Sequence, residues 1–161
     1  MKSFLVFITV LCLLSCSRSK SKDPDCPPFL YNYWVLSQRT IDTATTDNIF
    51  IYSINPGNKL VFLYQYINDP CGMAYDAGYR ESVVFEVPAD ANSFSFGNKE
   101  LKNANAYHRI ECFCPNTNAR PVTEGSLTGY KLSNATWHVQ GTITIPGSSN
   151  VISINKSFTE K

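Results

Sequence analysis

Three residues of the types that bind soft metal ions lie close together late in the chain, as His108, Cys112 and Cys114. Side chains alternate between the two faces of a β-strand, so an extended segment here would place all three on one face. One imidazole and two thiolates are good ligands for zinc or copper(I). The spacing therefore indicates a candidate metal site, provided that both thiols stay reduced.

The N-terminus bears on that condition, because it indicates the compartment in which the protein works. Lys2 is followed by an apolar run from Phe4 to Leu14 that only Thr9 interrupts. A helix needs about 20 residues to span a bilayer, so this run is too short to do so. Its length is that of the apolar core of a secretory signal. We therefore expect residues 1–15 to direct export.

The end of that run, Leu13-Leu14-Ser15-Cys16, resembles the lipobox of bacterial lipoprotein signal peptides. A lipobox has an aliphatic residue, a variable one, a small one and then cysteine. The resemblance implies cleavage before Cys16, attachment of lipid to Cys16 and anchorage of the mature chain in a membrane. Residues 16–25 then form a lipidated, flexible tether. The remaining length, residues 26–161, suits one domain.

Export also changes the prediction for the cysteines, since oxidising compartments favour disulfides over free thiols. Four cysteines remain once Cys12 leaves with the signal and Cys16 carries lipid. They are Cys26, Cys71, Cys112 and Cys114. Direct pairing of Cys112 with Cys114 would close a very small ring, so we expect each to bond a distant partner, either Cys26 or Cys71. Two disulfides are the leading interpretation, and a metal site is the alternative.

The segment from Asn68 to Arg80 is long for a hairpin loop, and such loops are often functional. It contains four residues of types that bind sugars or peptides, by stacking and by hydrogen bonding. These candidate ligand-binding residues are Asp69, Tyr75, Asp76 and Tyr79. The structural alternative is that Tyr75 and Tyr79 cap one end of the core.

Catalytic motifs are missing from the sequence. It has no G-x-S-x-G, no H-E-x-x-H and no phosphate-cradling glycine loop. Glu81 and Glu86 lie at opposite parities on one predicted strand, so they cannot converge from it. We therefore expect no catalytic residues, no cofactor and no enzymatic activity.

The charge of the mature chain gives no basis for binding nucleic acid. Removal of Lys2 with the signal leaves 13 basic and 13 acidic residues. A chain with no net charge lacks the basic field that attracts a phosphate backbone. We expect its partners to be a membrane, through the lipid, together with a glycan, a peptide or an envelope protein.

Strand signals dominate the mature chain, and the only helical candidate is the short polar segment 99–106. Nine segments combine β-formers with flanking turn residues. They are residues 29–36, 48–54, 59–67, 82–87, 93–97, 107–114, 126–132, 136–145 and 151–158. About eight or nine strands at these spacings predict an all-β domain, an antiparallel β-sandwich or flattened barrel.

Alternation predicts which strand faces are buried. In residues 136–145 and 151–158, apolar side chains occupy one face and mostly polar ones the other, as in strands with one face in water. Residues 48–67 differ, because both faces are apolar and Pro56-Gly57 suits the centre of a type II turn. We predict a hairpin over residues 48–67 that is covered on both sides.

The part of the chain from Glu81 to Lys161 resembles small envelope lipoproteins of the Bacteroidetes type. The features that carry this resemblance are Cys112-Phe113-Cys114-Pro115, Gly125-Ser126-Leu127-Thr128-Gly129, Trp137 and the alternating tail. Surface-exported members of that group often have acidic residues just after the lipidated cysteine. This chain has Ser17-Arg18-Ser19-Lys20 there, so the resemblance implies the outer membrane and favours its periplasmic side.

These expectations combine into one leading function and two alternatives. The leading function is a membrane-anchored, non-enzymatic binding or interaction module of the cell envelope. The first alternative is a lipocalin-like carrier of a small apolar ligand, suggested by the two-faced apolar segment 48–67. The second is a metal-handling lipoprotein that uses His108, Cys112 and Cys114.

Overall fold

The computed structural model describes residues 27–68, 78–112, 114 and 118–161. Within these ranges the chain forms ten β-strands and one short helix. They are β1 Phe29–Thr46, β2 Ile49–Pro56, β3 Lys59–Asn68, β4 Tyr79–Pro88, β5 Ser93–Phe96, α1 Asn98–Asn103, β6 Tyr107–Glu111, β7 Arg120–Pro121, β8 Gly125–Ser133, β9 Thr136–Thr144 and β10 Val151–Glu160. The expected all-β class is confirmed. The predicted signal, Cys16 and the predicted tether lie outside the described residues.

All ten described strands belong to one curled sheet with the shape of a half-barrel. Nine of them follow the order β5-β8-β9-β10-β1-β3-β4-β6-β7, and β2 pairs with β1 to the side of this path. The contact between β1 and β10 is parallel, with Trp34 opposite Thr159. The expectation of antiparallel pairing is therefore wrong at this contact. The antiparallel hairpin with β9 sets the direction of β10. In that direction β10 runs parallel to β1 where the two strands meet.

The predicted hairpin over residues 48–67 is wrong, because β2 and β3 each pair with β1 instead of with each other. β1 has 18 residues, and its first half pairs with β3 while its second half pairs with β2. The turn that closes a hairpin is Asp47-Asn48, which joins β1 to β2. Both residues have positive φ, as a two-residue type I′ turn requires.

A bend in β1 lets one strand serve two partners in this way. The register shifts between Leu36 and Arg39, where Gln38 has a φ of 53°. Gly57 lies in the short connection between β2 and β3, which passes over this bend. Its N–H donates to the carbonyl oxygen of Gln38 at 3.0 Å. A Cβ at Gly57 would lie 2.6 Å from the Cβ of Thr40, so only glycine allows this connection to pass so close to β1.

The main core lies on the inner face of the curled sheet, where both halves contribute side chains. The rings of Phe62 and Phe85 stack at 4.9 Å between centroids, and Trp137 contacts Phe62 edge to face at 5.4 Å. The predicted inward faces of β9 and β10 are confirmed. Their buried members are Trp137, Val139, Ile143, Ile152, Ile154 and Phe158.

On the opposite face of β4 the carboxylate of Glu86 is buried, with its side chain 2% exposed. Four donors reach it: the Ile41 N–H at 2.6 Å, the Thr40 hydroxyl at 2.8 Å, the Lys59 ammonium at 2.5 Å and the Asn105 amide at 2.8 Å. Burial alone raises the pKa of Glu86, but these hydrogen bonds, that from Lys59 foremost, outweigh it and hold the pKa below its ordinary value. Glu86 thus ties β4 to the bend of β1, the start of β3 and the turn after α1.

Candidate functional site

Six aromatic rings lie together on the inner face of β1, β3 and β4, where β3 ends and β4 begins. We call them the aromatic cluster: Phe29, Tyr31, Tyr33, Tyr64, Tyr66 and Tyr79. Alternation places the three from β1 on one face of that strand. The register then sets Tyr66 opposite Tyr31 and Tyr64 opposite Tyr33. The ring centroids of these two pairs are 5.0 and 5.8 Å apart.

The aromatic cluster runs from the main core to the solvent. At its inner end Tyr64 is 7% exposed, and the ring of Tyr33 lies 5.4 Å from that of Phe158. At its outer end Phe29 is 51% exposed and Tyr31 46%. Rings in tilted and edge-on contacts hold one another in place. The result is a supported aromatic surface that is open to a ligand at one end.

The hydroxyl groups of the cluster add hydrogen-bonding capacity without charge. Burial, the largest cause in each case, raises the pKa of Tyr33, Tyr64 and Tyr79 above the ordinary tyrosine value. The nearby charge of Glu81 raises the pKa of Tyr64 and Tyr79 further. These three phenols are therefore neutral at physiological pH, where each can donate and accept a hydrogen bond.

One of the four candidate ligand-binding residues belongs to this cluster. Tyr79 lies in β4 with its ring 6.0 Å from that of Tyr66, whereas Asp69, Tyr75 and Asp76 lie outside the described residues. The other five members of the cluster were not predicted as site residues. The alternation of aromatic residues in β1 and β3 was the available signal, but only the register shows that the two rows face each other.

Beside the aromatic cluster, β4 and β6 bring Glu81 and His108 together on the same inner face. The His108 Nε2 lies 2.8 Å from a carboxylate oxygen of Glu81, with the two side chains 4% and 14% exposed. A carboxylate at one ring nitrogen fixes the orientation of an imidazole. Glu86 lies on the other face of β4, so the expectation that Glu81 and Glu86 do not converge is confirmed.

The sulfur atoms of Cys112 and Cys114 make a disulfide-like contact, with their Cα atoms 5.2 Å apart. This differs from the expected pairing of each with Cys26 or Cys71, both of which lie outside the described residues. In an extended strand, Cα atoms two residues apart are separated by about 6.6 Å. The Cα atoms of Cys112 and Cys114 are therefore closer together than they would be in an extended strand.

The described geometry does not assemble His108, Cys112 and Cys114 as ligands of one ion. The two sulfur atoms face each other, and the imidazole is bonded to Glu81. Within the described ranges there is no group of three or more His, Cys, Asp and Glu side chains that could hold a metal ion. The metal-handling alternative therefore gains no support from these residues.

Comparison with known proteins yields no relative: no family model, curated protein or solved structure matches this chain. Among the residues that the structure describes, no helix has the length and apolar character needed to cross a membrane. The function proposed below is therefore based on the residues and geometry of this chain itself.

Proposed function

We propose that this chain is a non-enzymatic binding module that holds carbohydrate at its aromatic cluster. The carrying observation is that Phe29 and Tyr31 leave about half of their surface exposed while the rings behind them are packed on the main core. Water-exposed aromatic surface of this kind is costly unless a ligand covers it. We further propose that lipid on Cys16 anchors the module in the outer membrane, as the lipobox resemblance suggests, and that it faces the periplasm, because Ser17-Arg18-Ser19-Lys20 lacks the acidic residues of surface-exported envelope lipoproteins.

Carbohydrate fits this surface better than other ligand classes do. Sugar rings present flat C–H faces that pack on aromatic rings and hydroxyl edges that bond to polar groups such as the tyrosine O–H. Tyr31 and Tyr33 lie within 14° of parallel, with centroids 6.4 Å apart along β1. Together they offer a continuous surface longer than one ring, which favours a ligand of more than one sugar unit.

The peptide and carrier alternatives have weaker support. An extended peptide most often adds a strand to a free sheet edge, whereas the aromatic cluster lies on the face of the sheet. A carrier needs interior space for its apolar ligand. In the described interior that space is occupied by main-core side chains, among them Phe62, Phe85 and Trp137.

Replacing Tyr31 with alanine is expected to weaken carbohydrate binding by about tenfold, because one stacked aromatic contact is worth about 0.5–1.5 kcal/mol beyond its buried area. The measurement is calorimetric titration of the full chain with a panel of soluble oligosaccharides. Tyr31 is half exposed, so its removal should leave the fold intact, which thermal unfolding will check.

Tyr130→Ala is the matched control, because Tyr130 is also 50% exposed but lies on β8, away from the aromatic cluster. It should bind carbohydrate as the unaltered chain does. Equal losses in the two variants would show that the cluster is not the binding surface. Absence of binding to every oligosaccharide, with saturable binding to a peptide or protein instead, would replace carbohydrate as the ligand.

A further inference from the structure

A pocket separate from the aromatic cluster lies between the β6–β7 side of the sheet and the turn that joins β9 to β10. Its volume is about 190 Å³. His108, Asn118 and Arg120 line it from one side, and Gly147 and Ser148 from the turn. None of the residues that line it is acidic. Ile110, Ile145 and Pro146 form the apolar part of the wall, and Arg120 contributes its one fixed positive charge.

Arg120 is the charged group of this pocket, and most of its donors are unused. One guanidinium nitrogen, Nη1, donates to the carbonyl oxygen of Pro146 at 2.8 Å. Among the described residues no carboxylate forms an ion pair with it. A guanidinium has five N–H donors, so four remain without a protein partner in the described part of the chain.

The turn is shaped to leave room for this guanidinium. A Cβ at position 147 would lie 2.5 Å from the Arg120 Nη1, and Gly147 has a φ of +77°, which side-chain-bearing residues rarely adopt. Glycine at this position therefore allows Arg120 to sit under the turn. Glu124 lines a neighbouring depression on the same turn, which shares Ile145, Pro146, Gly147 and Ser148 with this pocket.

We infer that this pocket binds a small oxyanion, a carboxylate or phosphate group, through the guanidinium fork of Arg120. The planar fork matches two oxygens of such a group, and each charge-assisted hydrogen bond is stronger than a neutral one. Asn118 and Ser148 supply further polar groups on the pocket wall. Glu81 is already engaged with His108, so it does not occupy Arg120. The site does not depend on the proposed carbohydrate binding, because it shares no residue with the aromatic cluster.

The test titrates the full chain with sodium acetate and with inorganic phosphate, using sodium chloride at matched ionic strength as the reference. We expect saturable binding of acetate, of phosphate or of both, and no binding of chloride. The anion that saturates shows whether the pocket takes a carboxylate or a phosphate group. Arg120→Gln should weaken that binding by about tenfold or more, the loss of at least one charge-assisted hydrogen bond. Tyr31→Ala should leave it unchanged, which separates this site from the carbohydrate site.

Arg80→Gln removes the same charge from the outer face, where Arg80 pairs with Glu111 at 3.1 Å, and should bind the anion as the unaltered chain does. Arg120→Lys keeps the charge but lacks the fork, so it should bind more weakly than the unaltered chain and guards against misfolding of Arg120→Gln. The inference is overturned if neither oxyanion saturates, if Arg80→Gln loses as much as Arg120→Gln, or if Arg120→Lys binds as tightly as arginine.

Discussion

Replacing Glu86 with alanine is expected to lower the free energy of unfolding by about 3 kcal/mol, because it leaves one buried and one half-buried donor without an acceptor. The N–H of Ile41 and the amide of Asn105 both donate to this carboxylate, at 2.6 and 2.8 Å. Each buried donor left unsatisfied costs about 1–3 kcal/mol. Lys59 adds less, since its side chain is 39% exposed and returns to water. Urea denaturation of the full chain measures the loss.

Glu124→Ala is the control, because Glu124 is exposed and its side chain makes no hydrogen bond or ion pair with the described residues. Exposed substitutions of this kind change stability by about 0.5 kcal/mol or less. Glu86→Gln keeps the shape and removes the charge, so it should also be destabilising. Similar losses for Glu86→Ala and Glu124→Ala would mean that the Glu86 network does not hold the strands together.

The same carboxylate should make stability depend on pH in the acid range. Since the pKa of Glu86 is lower in the folded chain than its ordinary value, the folded state binds fewer protons there, and stability rises with pH. The contribution of Glu86 is complete above the ordinary carboxyl pKa and is lost as the pH falls through the lower folded pKa. The difference in unfolding free energy between the unaltered chain and Glu86→Gln should therefore shrink on acidification. A difference that stays constant from neutral pH to about pH 3 would contradict this.

The strands were predictable wherever one face is buried and the other is wet. Alternation correctly placed Trp137 and Val139 of β9 and Ile154 of β10 in the core, because burial of one face leaves a period of two in the sequence. Pairing partners leave no such local mark. Pro56-Gly57 has the composition of a hairpin turn, but the two strands it connects, β2 and β3, each pair with β1 instead of with each other. The bend at Gln38 allows β1 to pair with both, and this bend depends on tertiary contacts.

The site was less predictable than the fold for the same reason. Tyr79 could be singled out locally, but Tyr31 and Tyr66 become one surface only through the β1–β3 register. Glu86 was visible only as a carboxylate in an apolar strand, because its partners come from distant segments of the chain. The sequence thus predicts which residues alternate along a strand and share a face. It does not predict which residues of distant strands come together, because that depends on long-range pairing.

Mapping of disulfides is expected to find Cys26 bonded to Cys71. The disulfide-like contact between Cys112 and Cys114 leaves the other two cysteines of the predicted mature domain to each other. The described register of β1 and β3 ends with Phe29 opposite Asn68. Cys26 precedes Phe29 by three residues in the sequence, and Cys71 follows Asn68 by three. Both lie outside the described residues, so the expectation comes from the register of the described strands.

This bond should contribute more to stability than the bond between Cys112 and Cys114. In the chain-entropy account a disulfide stabilises according to the length of the loop it closes, by about 4 kcal/mol for a loop of about 45 residues and less than half of that for the shortest loops. The double variant Cys26→Ser with Cys71→Ser should therefore lose about 2–4 kcal/mol of unfolding free energy. Cys112→Ser with Cys114→Ser is the matched control and should lose less.

Tryptic digestion without reduction separates the pairings cleanly. Cys26 falls in the peptide 23–39, Cys71 in 60–80, and both Cys112 and Cys114 in 110–131, because the bond between Arg120 and Pro121 resists trypsin. We expect the first two peptides to be cross-linked and the third to carry an internal bond. A cross-link from either of the first two peptides to the third would instead restore the long-range pairing that the sequence suggested. Four free thiols would overturn both disulfides and return His108, Cys112 and Cys114 to consideration as metal ligands.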